Sequence, residues 1–311
     1  MEGDPLADVL TLASARCVRI GTLKCGGDWA IKFPPPQKIK LTAVVKGGCW
    51  LVLEDERAPV QLETGDVFMV PTERSYVLAS DLKAPQRDGL ALFSNATDNL
   101  GTIGDGKDFF AIGGHVALDS DRGSVLADVL PRLIRVDGSS SEASTIRWLL
   151  GQLVEEVTAN RPGAMLASKQ LAQLLFVQII RFYLATSYTV TAGWLRALQD
   201  PRIAPVLRLM HGEPRRAWRL GEFAKHVGMS RTTFSTRFKA TAGVAPLTYL
   251  QNLRMRLAEQ ALREGAMSVS ELAESLGYES DSAFSNAFKR RTGMAPKHYQ
   301  SVLSKMAQGS S

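Results

Sequence analysis

The spacing of hydrophobic residues changes near residue 124. Before that point the apolar residues lie in short alternating or β-branched runs, which predict strands. Turn-forming residues such as Gly47-Gly48 and Gly65-Asp66 separate these runs, which read KIKLTAVV, CWLVLED, APVQLE and VFMV. Closely spaced short strands are typical of a small barrel or jelly roll. We therefore predict a β-barrel domain over residues 1–123.

From residue 124 the apolar residues recur at helical spacing instead. Residues 140–160 place Ile146, Leu150 and Leu153 on one helical face, with Ser144 as a candidate N-cap. A longer helix is predicted over 164–186. Its apolar residues cover more than one face, so it either packs within the domain or pairs with a second copy. We predict a helical connector over 124–204, with a role in dimerisation as one alternative.

The last third of the chain contains an internal repeat. FKATAGVAP starts at Phe238, and FKRRTGMAP starts fifty residues later at Phe288. An internal repeat usually marks one supersecondary unit used more than once.

Each copy has the pattern of a helix, a short turn and a second helix. In the first copy Gly228 interrupts the helical spacing and Ser230 is a suitable N-cap, and Gly277 and Ser280 take these places in the second. Phenylalanines one turn apart follow in both copies, at 234 and 238 and at 284 and 288. These are helix-turn-helix signatures.

A single helix is predicted between the two copies, from Pro246 to Gly265. About 18 residues at ~1.5 Å per residue span about 27 Å. Successive major-groove segments on one side of B-DNA lie ~34 Å apart. The duplication therefore predicts that one chain grips two turns of double-stranded DNA.

The distribution of charge supports this interpretation. The 311-residue chain is 45% hydrophobic, which is ordinary for a globular protein, and carries a net charge of +6. Residues 205–311 contain 16 Lys and Arg against 8 Asp and Glu, whereas residues 1–204 contain 21 against 23. The net charges of +8 and −2 predict a nucleic-acid-facing C-terminal domain.

Residues 215–303 resemble the DNA-binding domain of the AraC/XylS family. The matching segments are FAKHVGMSRTTFSTRFKATAGVAPLTYLQNLRMRLAEQAL and VSELAESLGYESDSAFSNAFKRRTGMAPKHYQ. The resemblance implies a DNA-binding domain over 205–311 that binds promoter DNA, with RNA polymerase as a further partner.

The buried phenylalanines define which residues of each recognition helix face outward. Thr232 and Thr236 lie opposite them in the first copy, and Ser282 and Asn286 in the second. The resemblance places base contacts at these positions, although family members often have arginine where Thr236 and Asn286 stand. Flanking basic residues are suited to phosphates. The predicted DNA-binding set is Arg231, Thr232, Thr233, Ser235, Thr236, Arg237, Lys239, Ser282, Ser285, Asn286, Lys289 and Arg290, with a solvated surface as the alternative for each.

GDVFMVP resembles the turn and strand of a cupin barrel. Residues 27–93, which contain it, resemble the cupin-type sensor domain of a subgroup of AraC-family regulators, and residues 107–118 resemble the same subgroup. Metal-binding cupins generally use several histidines, but His115 is the first histidine of this chain. We therefore expect no metal, no cofactor and no cupin enzyme activity. Apolar barrel walls suit a small effector. The candidate lining residues are Trp29, Phe33, Trp50, Phe68 and Tyr76, with core packing as the alternative.

The three cysteines are too few for a disulfide scaffold and indicate a reducing compartment. The pattern favours small reduced side chains in or near a core for all three. The alternative is a redox-sensing thiol, for which Cys25 is the candidate, because Lys24 beside it could favour a thiolate. The acidic N-terminus and the absence of a long apolar run predict a cytoplasmic protein with no membrane association.

Together these patterns predict an α+β protein: a cupin-like β-barrel, a helical connector and an all-α domain with two helix-turn-helix units. The function we expect is sequence-specific transcription regulation, more often activation in this family, controlled by a small molecule or a redox signal. The alternatives are a cupin enzyme fused to a DNA-binding module and an architectural DNA-binding protein.

Overall fold

The structure is a computed structural model of the 311-residue chain. It describes residues 3–12, 15–36, 38–54, 58–71, 74–94, 99–117, 130–159, 161–187, 193–264 and 267–308. The chain divides into two compact units. One comprises residues 14–189, and the other combines residues 1–13 with residues 190–311.

The described strands all belong to the first unit, whereas helices occur in both. The strands are β1 (Arg16–Cys25), β2 (Ala30–Phe33), β3 (Ile39–Lys46), β4 (Cys49–Leu53), β5 (Val60–Leu62), β6 (Val67–Val70), β7 (Tyr76–Ala79), β8 (Gln86–Asp88), β9 (Leu100–Ile103), β10 (Phe109–Ala117) and β11 (Ile134–Val136). The helices are α1 (Pro5–Leu12), α2 (Gly89–Ser94), α3 (Ser144–Ala159), α4 (Ala164–Thr186), α5 (Trp194–Gln199), α6 (Ala204–Gly212), α7 (Leu220–His226), α8 (Arg231–Ala242), α9 (Pro246–Glu264), α10 (Val269–Ser275), α11 (Asp281–Thr292) and α12 (Pro296–Gln308).

The strands form two sheets. The larger has the order β11-β6-β3-β10-β1-β9, and the smaller has the order β5-β4-β7-β2-β8. The sheet-rich N-terminal domain that the sequence predicts is confirmed. Closure into a barrel stays a prediction. Within the described ranges, each strand pairs inside one of these two sheets, and neither sheet closes on itself or pairs with the other.

A buried apolar cluster with contributions from both sheets forms the core of this unit. Phe68, Leu51 and Ile31 belong to it, and none of the three is measurably exposed. The alternation of strand side chains explains this arrangement, because every second residue of a strand faces the same side. Gly65, with a φ of +95°, makes the turn before β6 that the sequence predicts.

β11 does not stand out in the hydrophobic pattern, but it pairs with β6 and extends the larger sheet. The buried carboxylate of Asp66 fastens this edge. It accepts hydrogen bonds from Nη2 of Arg135 and from the backbone N–H of Gly138, both at 2.8 Å. Buried carboxylates are stable when paired in this way.

The two long helices of the segment predicted as a connector, α3 and α4, lie in the same compact unit as the sheets, whereas residues 193–204 of that segment belong to the helical unit. α4 packs against β1, β10 and β11. Gln173 on α4 accepts a hydrogen bond from the backbone N–H of Cys17 at 2.9 Å and donates one to the carbonyl of Ala15 at 2.8 Å. One side of the apolar surface of α4 thus packs within its own unit, against the sheet and α3, and pairing with a second copy stays a prediction.

The second unit is helical, as the sequence predicts for the C-terminal domain. It also includes α1, although α1 lies in the segment predicted as a barrel; α1 packs against α6 and α9. None of the helices in the described part of the chain is long and apolar enough to cross a membrane.

Candidate nucleic-acid interface

The first helix-turn-helix unit consists of α7 and α8. Gly228, at a φ of +64°, reverses the chain between them. Ser230 then caps α8, because its hydroxyl oxygen accepts a hydrogen bond from the backbone N–H of Thr233 at 3.2 Å. Phe234 and Phe238 are fully buried with their rings 5.7 Å apart. Their burial fixes the rotation of α8 about its axis.

The second helix-turn-helix unit, which consists of α10 and α11, repeats this construction. Ser280 caps α11 by accepting a hydrogen bond from the N–H of Ala283 at 3.2 Å. The rings of Phe284 and Phe288 also lie 5.7 Å apart and are fully buried. Gly277 is required at the turn for two reasons: its φ is +77°, and a Cβ atom there would lie 1.9 Å from the carbonyl oxygen of Arg215.

Helix α9 contributes to the cores of both helix-turn-helix units. Near its beginning, Tyr249 packs edge-on against Phe238 with a centroid distance of 5.8 Å. Farther along, Met255, Ala258 and Leu262 join the buried cluster around α10 and α11. The helix has 19 residues, so it is about 28 Å long at ~1.5 Å per residue. It is the predicted connecting helix; Gly265, predicted as its end, lies outside the described residues.

The polar faces of α8 and α11 are exposed at the positions that the sequence predicts. Thr232 and Thr236 on α8 are exposed, and so are Ser282 and Asn286 on α11. Ser235 and Ser285, beside them, are half-buried. The two recognition helices therefore present hydroxyl and amide groups that can meet base edges.

The basic residues of α11 lie beside this polar face. Lys289 and Arg290 are exposed and line one surface groove together with Asn286. This grouping combines an amide, which suits adenine, with two cations that suit phosphates.

The predicted DNA contacts on α8 differ in their surroundings. Lys239 and Arg231 are exposed, and the guanidinium of Arg231 lies over Gly221, where an added Cβ would be 3.0 Å from its Nε. The hydroxyl of Thr233 lies 2.8 Å from that of Ser230, so it takes part in the helix cap. Its predicted DNA contact therefore competes with a local hydrogen bond.

Arg237 forms a bidentate ion pair that the sequence pattern does not predict. Its Nε lies 2.8 Å and its Nη2 3.1 Å from the two carboxylate oxygens of Asp200. Asp200 is nearly buried, with 9% of its side chain exposed. Burial opposes ionisation of this carboxyl, but hydrogen bonds from Arg237 and from the backbone N–H of Arg202 outweigh it and hold the pKa of Asp200 below its usual value. The guanidinium proposed for phosphate is thus already engaged with a carboxylate.

The candidate effector residues separate into two groups. Phe33 and Tyr76 line a cavity of about 560 Å³ in the sheet-rich unit. Trp29 and Phe68 are buried in the apolar core, while Trp50 on β4 is half-buried. For Trp29 and Phe68, the structure therefore favours the alternative of core packing.

The surroundings of Cys25 favour the interpretation of a reduced core side chain over that of a redox sensor. The residue is fully buried, and burial raises the pKa of its thiol to about 12, outweighing the opposing effect of Arg87. Burial likewise raises the pKa of Cys49 to about 12, with smaller contributions from Cys25 and Asp66. Sequence proximity to Lys24 does not reveal how deeply the sulfur is buried.

The cavity residues do not fit the metal site of a cupin enzyme. Within the described ranges, no three His, Cys, Asp or Glu side chains converge in a way that could hold a metal ion. The imidazole of His115 at the cavity wall instead lies 3.4 Å from the ammonium group of Lys40.

Fold and site together define a two-part DNA-binding protein. Residues 4–185 match the family model described as a cupin domain, and residues 223–301 match one described as a helix-turn-helix domain. An AraC-like transcription regulator of Streptomyces antibioticus is 37% identical over 297 residues, which are 96% of this chain and 98% of that protein. The transcriptional regulator AlkR of Acinetobacter baylyi is 28% identical, covering 89% of this chain and 92% of that one. Among solved structures, the DNA-binding domain of AdpA in complex with a target DNA is 30% identical over 33% of this chain and 92% of that chain, with a TM-score of 0.31.

The chain belongs to the AraC-like transcription regulators and has a cupin domain in its N-terminal part. It is therefore a DNA-binding transcription regulator with a helix-turn-helix domain.

Proposed function

We propose that this regulator binds promoter DNA by placing α8 and α11 in two successive segments of the major groove. Thr232, Thr236, Ser282 and Asn286 are the proposed base contacts. Lys239, Lys289 and Arg290 are the proposed phosphate contacts, because cations on such flanks position a protein on the duplex.

The observation that supports this proposal best is the equivalence of the two units. In each, a serine N-cap begins the second helix, and two phenylalanines 5.7 Å apart are buried. The same rotation of each helix therefore exposes equivalent positions, Thr232 with Ser282 and Thr236 with Asn286. A repeated, outward polar face on a rigid support is what bipartite recognition of a duplex requires.

The test is selection of bound sequences from a random duplex library by the full-length protein. We expect a bipartite site with two preferred elements whose centres lie about 10 base pairs apart. Enrichment of one short element, or of no sequence, would contradict the two-groove arrangement.

We further propose that the cupin domain senses a small molecule, not the oxidation of Cys25. The cavity of about 560 Å³ supports this, since ligand pockets commonly have volumes of roughly 300–1,000 Å³. Ligand binding would shift the protein towards the state that binds its promoter, and contact with RNA polymerase would then activate transcription. Single-round transcription in vitro with the selected site tests the direction: repression would contradict the activator assignment.

A homodimer is the final element of this proposal. Four large apolar residues on the helices α3 and α4 are more than two-fifths exposed: Trp148 at 62%, Met165 at 74%, Leu166 at 66% and Leu174 at 44%. Exposed apolar surface of this kind favours association. Analytical ultracentrifugation should show a dimer that Trp148→Ser weakens; a monomer at micromolar concentration would contradict the proposal.

A further inference from the structure

The cavity of the sheet-rich unit has one polar end, built on two neighbouring strands of the larger sheet. β3 and β10 are antiparallel, with Lys40 opposite His115 and Thr42 opposite Gly113. Because strand residues alternate between faces, these four positions lie on the same side of the sheet. All four line the cavity.

Gly113 provides the space for this polar end. A Cβ atom at this position would lie 2.8 Å from Nζ of Lys40 and 3.5 Å from Oγ1 of Thr42. The lysine ammonium and the threonine hydroxyl therefore both lie over the same glycine. Nζ of Lys40 is also 3.4 Å from Nε2 of His115. Three polar groups thus converge on one point of the cavity wall.

The hydroxyl of Thr42 points to a ligand. Thr42 is only 5% exposed, and its Oγ1 finds no hydrogen-bond partner within the described part of the chain. A buried hydroxyl without a partner costs about 1–3 kcal/mol of desolvation, so such groups are rare in folded proteins. A ligand atom that accepts a hydrogen bond would remove this cost.

Much of the remaining cavity lining is apolar. Phe33 stacks on Tyr76 with a centroid distance of 4.9 Å, and Phe93 lies 6.5 Å from Phe33. Leu78 and Leu23 also belong to this lining. Burial keeps Tyr76 in its neutral form, because it raises the pKa of the phenol. This apolar lining therefore suits a hydrocarbon or aromatic body.

The chemistry of the polar end determines which head group fits. A lysine ammonium can only donate hydrogen bonds, and a threonine hydroxyl can donate one. The described lining contains Lys38 and Lys40 and no Asp or Glu. A head group that accepts several hydrogen bonds and carries a negative charge matches this set, and a carboxylate does both.

We propose that the cavity binds an organic carboxylate with an apolar body. Its carboxylate is held by Lys40 and Thr42, with His115 accepting a hydrogen bond from Lys40, and its body packs against Phe33, Tyr76 and Phe93. This inference rests on the proposed small-molecule control, for which it names the ligand class.

The test compares ligands that differ only in the head group. Isothermal titration calorimetry of the full-length protein would use decanoate, decanol and decylamine, together with 2-naphthoate and 2-naphthol. We expect at least one of the two carboxylates to bind about tenfold or more tightly than its neutral counterpart. Equal affinity of acid and neutral compound in both series, tighter binding of the amine, or no binding by either acid would overturn the proposal.

Variants of the cavity residues then test which side chains bind the carboxylate. Lys40→Met should lower the affinity for the carboxylate by about 10- to 100-fold, to that of the neutral compound. Thr42→Val should lower the same affinity by roughly 3- to 10-fold. Lys32→Met, at an exposed position on β2, is the matched control and should leave binding unchanged. Thermal melting of each variant verifies folding. An unchanged carboxylate affinity in folded Lys40→Met would also overturn the assignment.

A separate measurement distinguishes ligand binding in the cavity from the effect of the ligand on DNA binding. Fluorescence anisotropy would follow binding to the selected promoter site with and without the carboxylate that binds best. Binding of the carboxylate without any change in DNA affinity or transcription would overturn the proposed signalling but leave the ligand class intact. Failure of the carboxylate to bind, with sequence-specific DNA binding retained, would overturn the ligand class alone.

Discussion

Nδ1 of His211 lies 2.8 Å from Oδ2 of Asp8, although 203 residues separate the two along the chain. The other ring nitrogen of His211 lies 2.9 Å from the hydroxyl of Tyr249. Since a carboxylate can only accept, Nδ1 of His211 donates to Asp8. The side chain of His211 is fully buried. This chain of hydrogen bonds fastens α1 to α6 and α9 within the helical unit.

Asp8→Ala should lower the free energy of unfolding of the helical unit by about 1–3 kcal/mol, because it leaves a buried ring N–H without its acceptor. Chemical denaturation measures the loss, and hydrogen exchange should show faster opening of α1 and α6. Asp28→Ala, at an exposed position in the other unit, is the control. An unchanged midpoint for Asp8→Ala would show that the contact contributes nothing to stability.

Asn286→Ala should relax sequence preference at one base position of the selected site, at a cost of about 1–3 kcal/mol for the preferred base. Its matched control is Lys289→Ala on the same helix, which should weaken binding to all sequences alike and reduce the salt dependence. Binding to a panel of single-base variants measures both effects. Uniform weakening by Asn286→Ala would place its side chain on phosphate and contradict the assignment.

Arg237→Gln should act mainly on stability, since its guanidinium is engaged with the nearly buried carboxylate of Asp200. We expect a loss of about 1–3 kcal/mol from removing hydrogen bonds to a charged group. The salt dependence of DNA binding should change less than in Lys239→Gln, on the exposed surface of the same helix. Equal changes in the two variants would show that Arg237 leaves Asp200 to contact phosphate.

The Asp200 contact also predicts a pH dependence. The pKa of Asp200 in the folded protein is below its usual value, whereas the unfolded chain should titrate near the usual ~3.9. The stabilisation is therefore fully present above the unfolded pKa and is lost as the pH falls through the folded pKa.

Unfolding measured from pH 7 down to pH 2 should show a steeper loss of stability below about pH 4 in the natural protein than in Asp200→Asn. Asparagine is the appropriate replacement, because it keeps the capping oxygen of the turn before α6 but cannot ionise. Parallel curves for the two proteins would exclude Asp200 as a source of the acid sensitivity.

Cys25 and Cys49 should react slowly with iodoacetamide at pH 8, because the thiolate is the reactive species and burial raises both pKa values to about 12. We expect modification at least 100-fold slower in the native protein than in guanidinium chloride, as measured by mass spectrometry. Comparable rates in the two conditions would revive the redox hypothesis for Cys25.

Local structure in the DNA-binding unit could be predicted closely from the sequence. The caps at Ser230 and Ser280 and the helix beginning at Pro246 all lie where the pattern places them. Each of these features depends on residues within four or five positions of one another. Helical periodicity then sets the exposed face, so Thr236 and Asn286 could be identified without coordinates.

Partners from distant parts of the chain could not be predicted in this way. Nothing near Arg237 reveals that Asp200, 37 residues earlier, would neutralise it. The same limit explains the missed strand β11, whose three residues become a strand by pairing with β6. The convergence of Lys40, Thr42 and His115 likewise requires the register of β3 against β10.

By itself, the sequence determined the two helix-turn-helix units, their polar outward faces and the sheet-rich N-terminal part, because hydrogen bonding along helices and side-chain alternation along strands are local. Only the tertiary structure decided that α1 packs with the helical unit through Asp8 and His211, that Cys25 is buried, and that a hydroxyl, an ammonium and an imidazole meet in one cavity. These features depend on which distant segments exclude water from one another, and no short window of sequence contains that information.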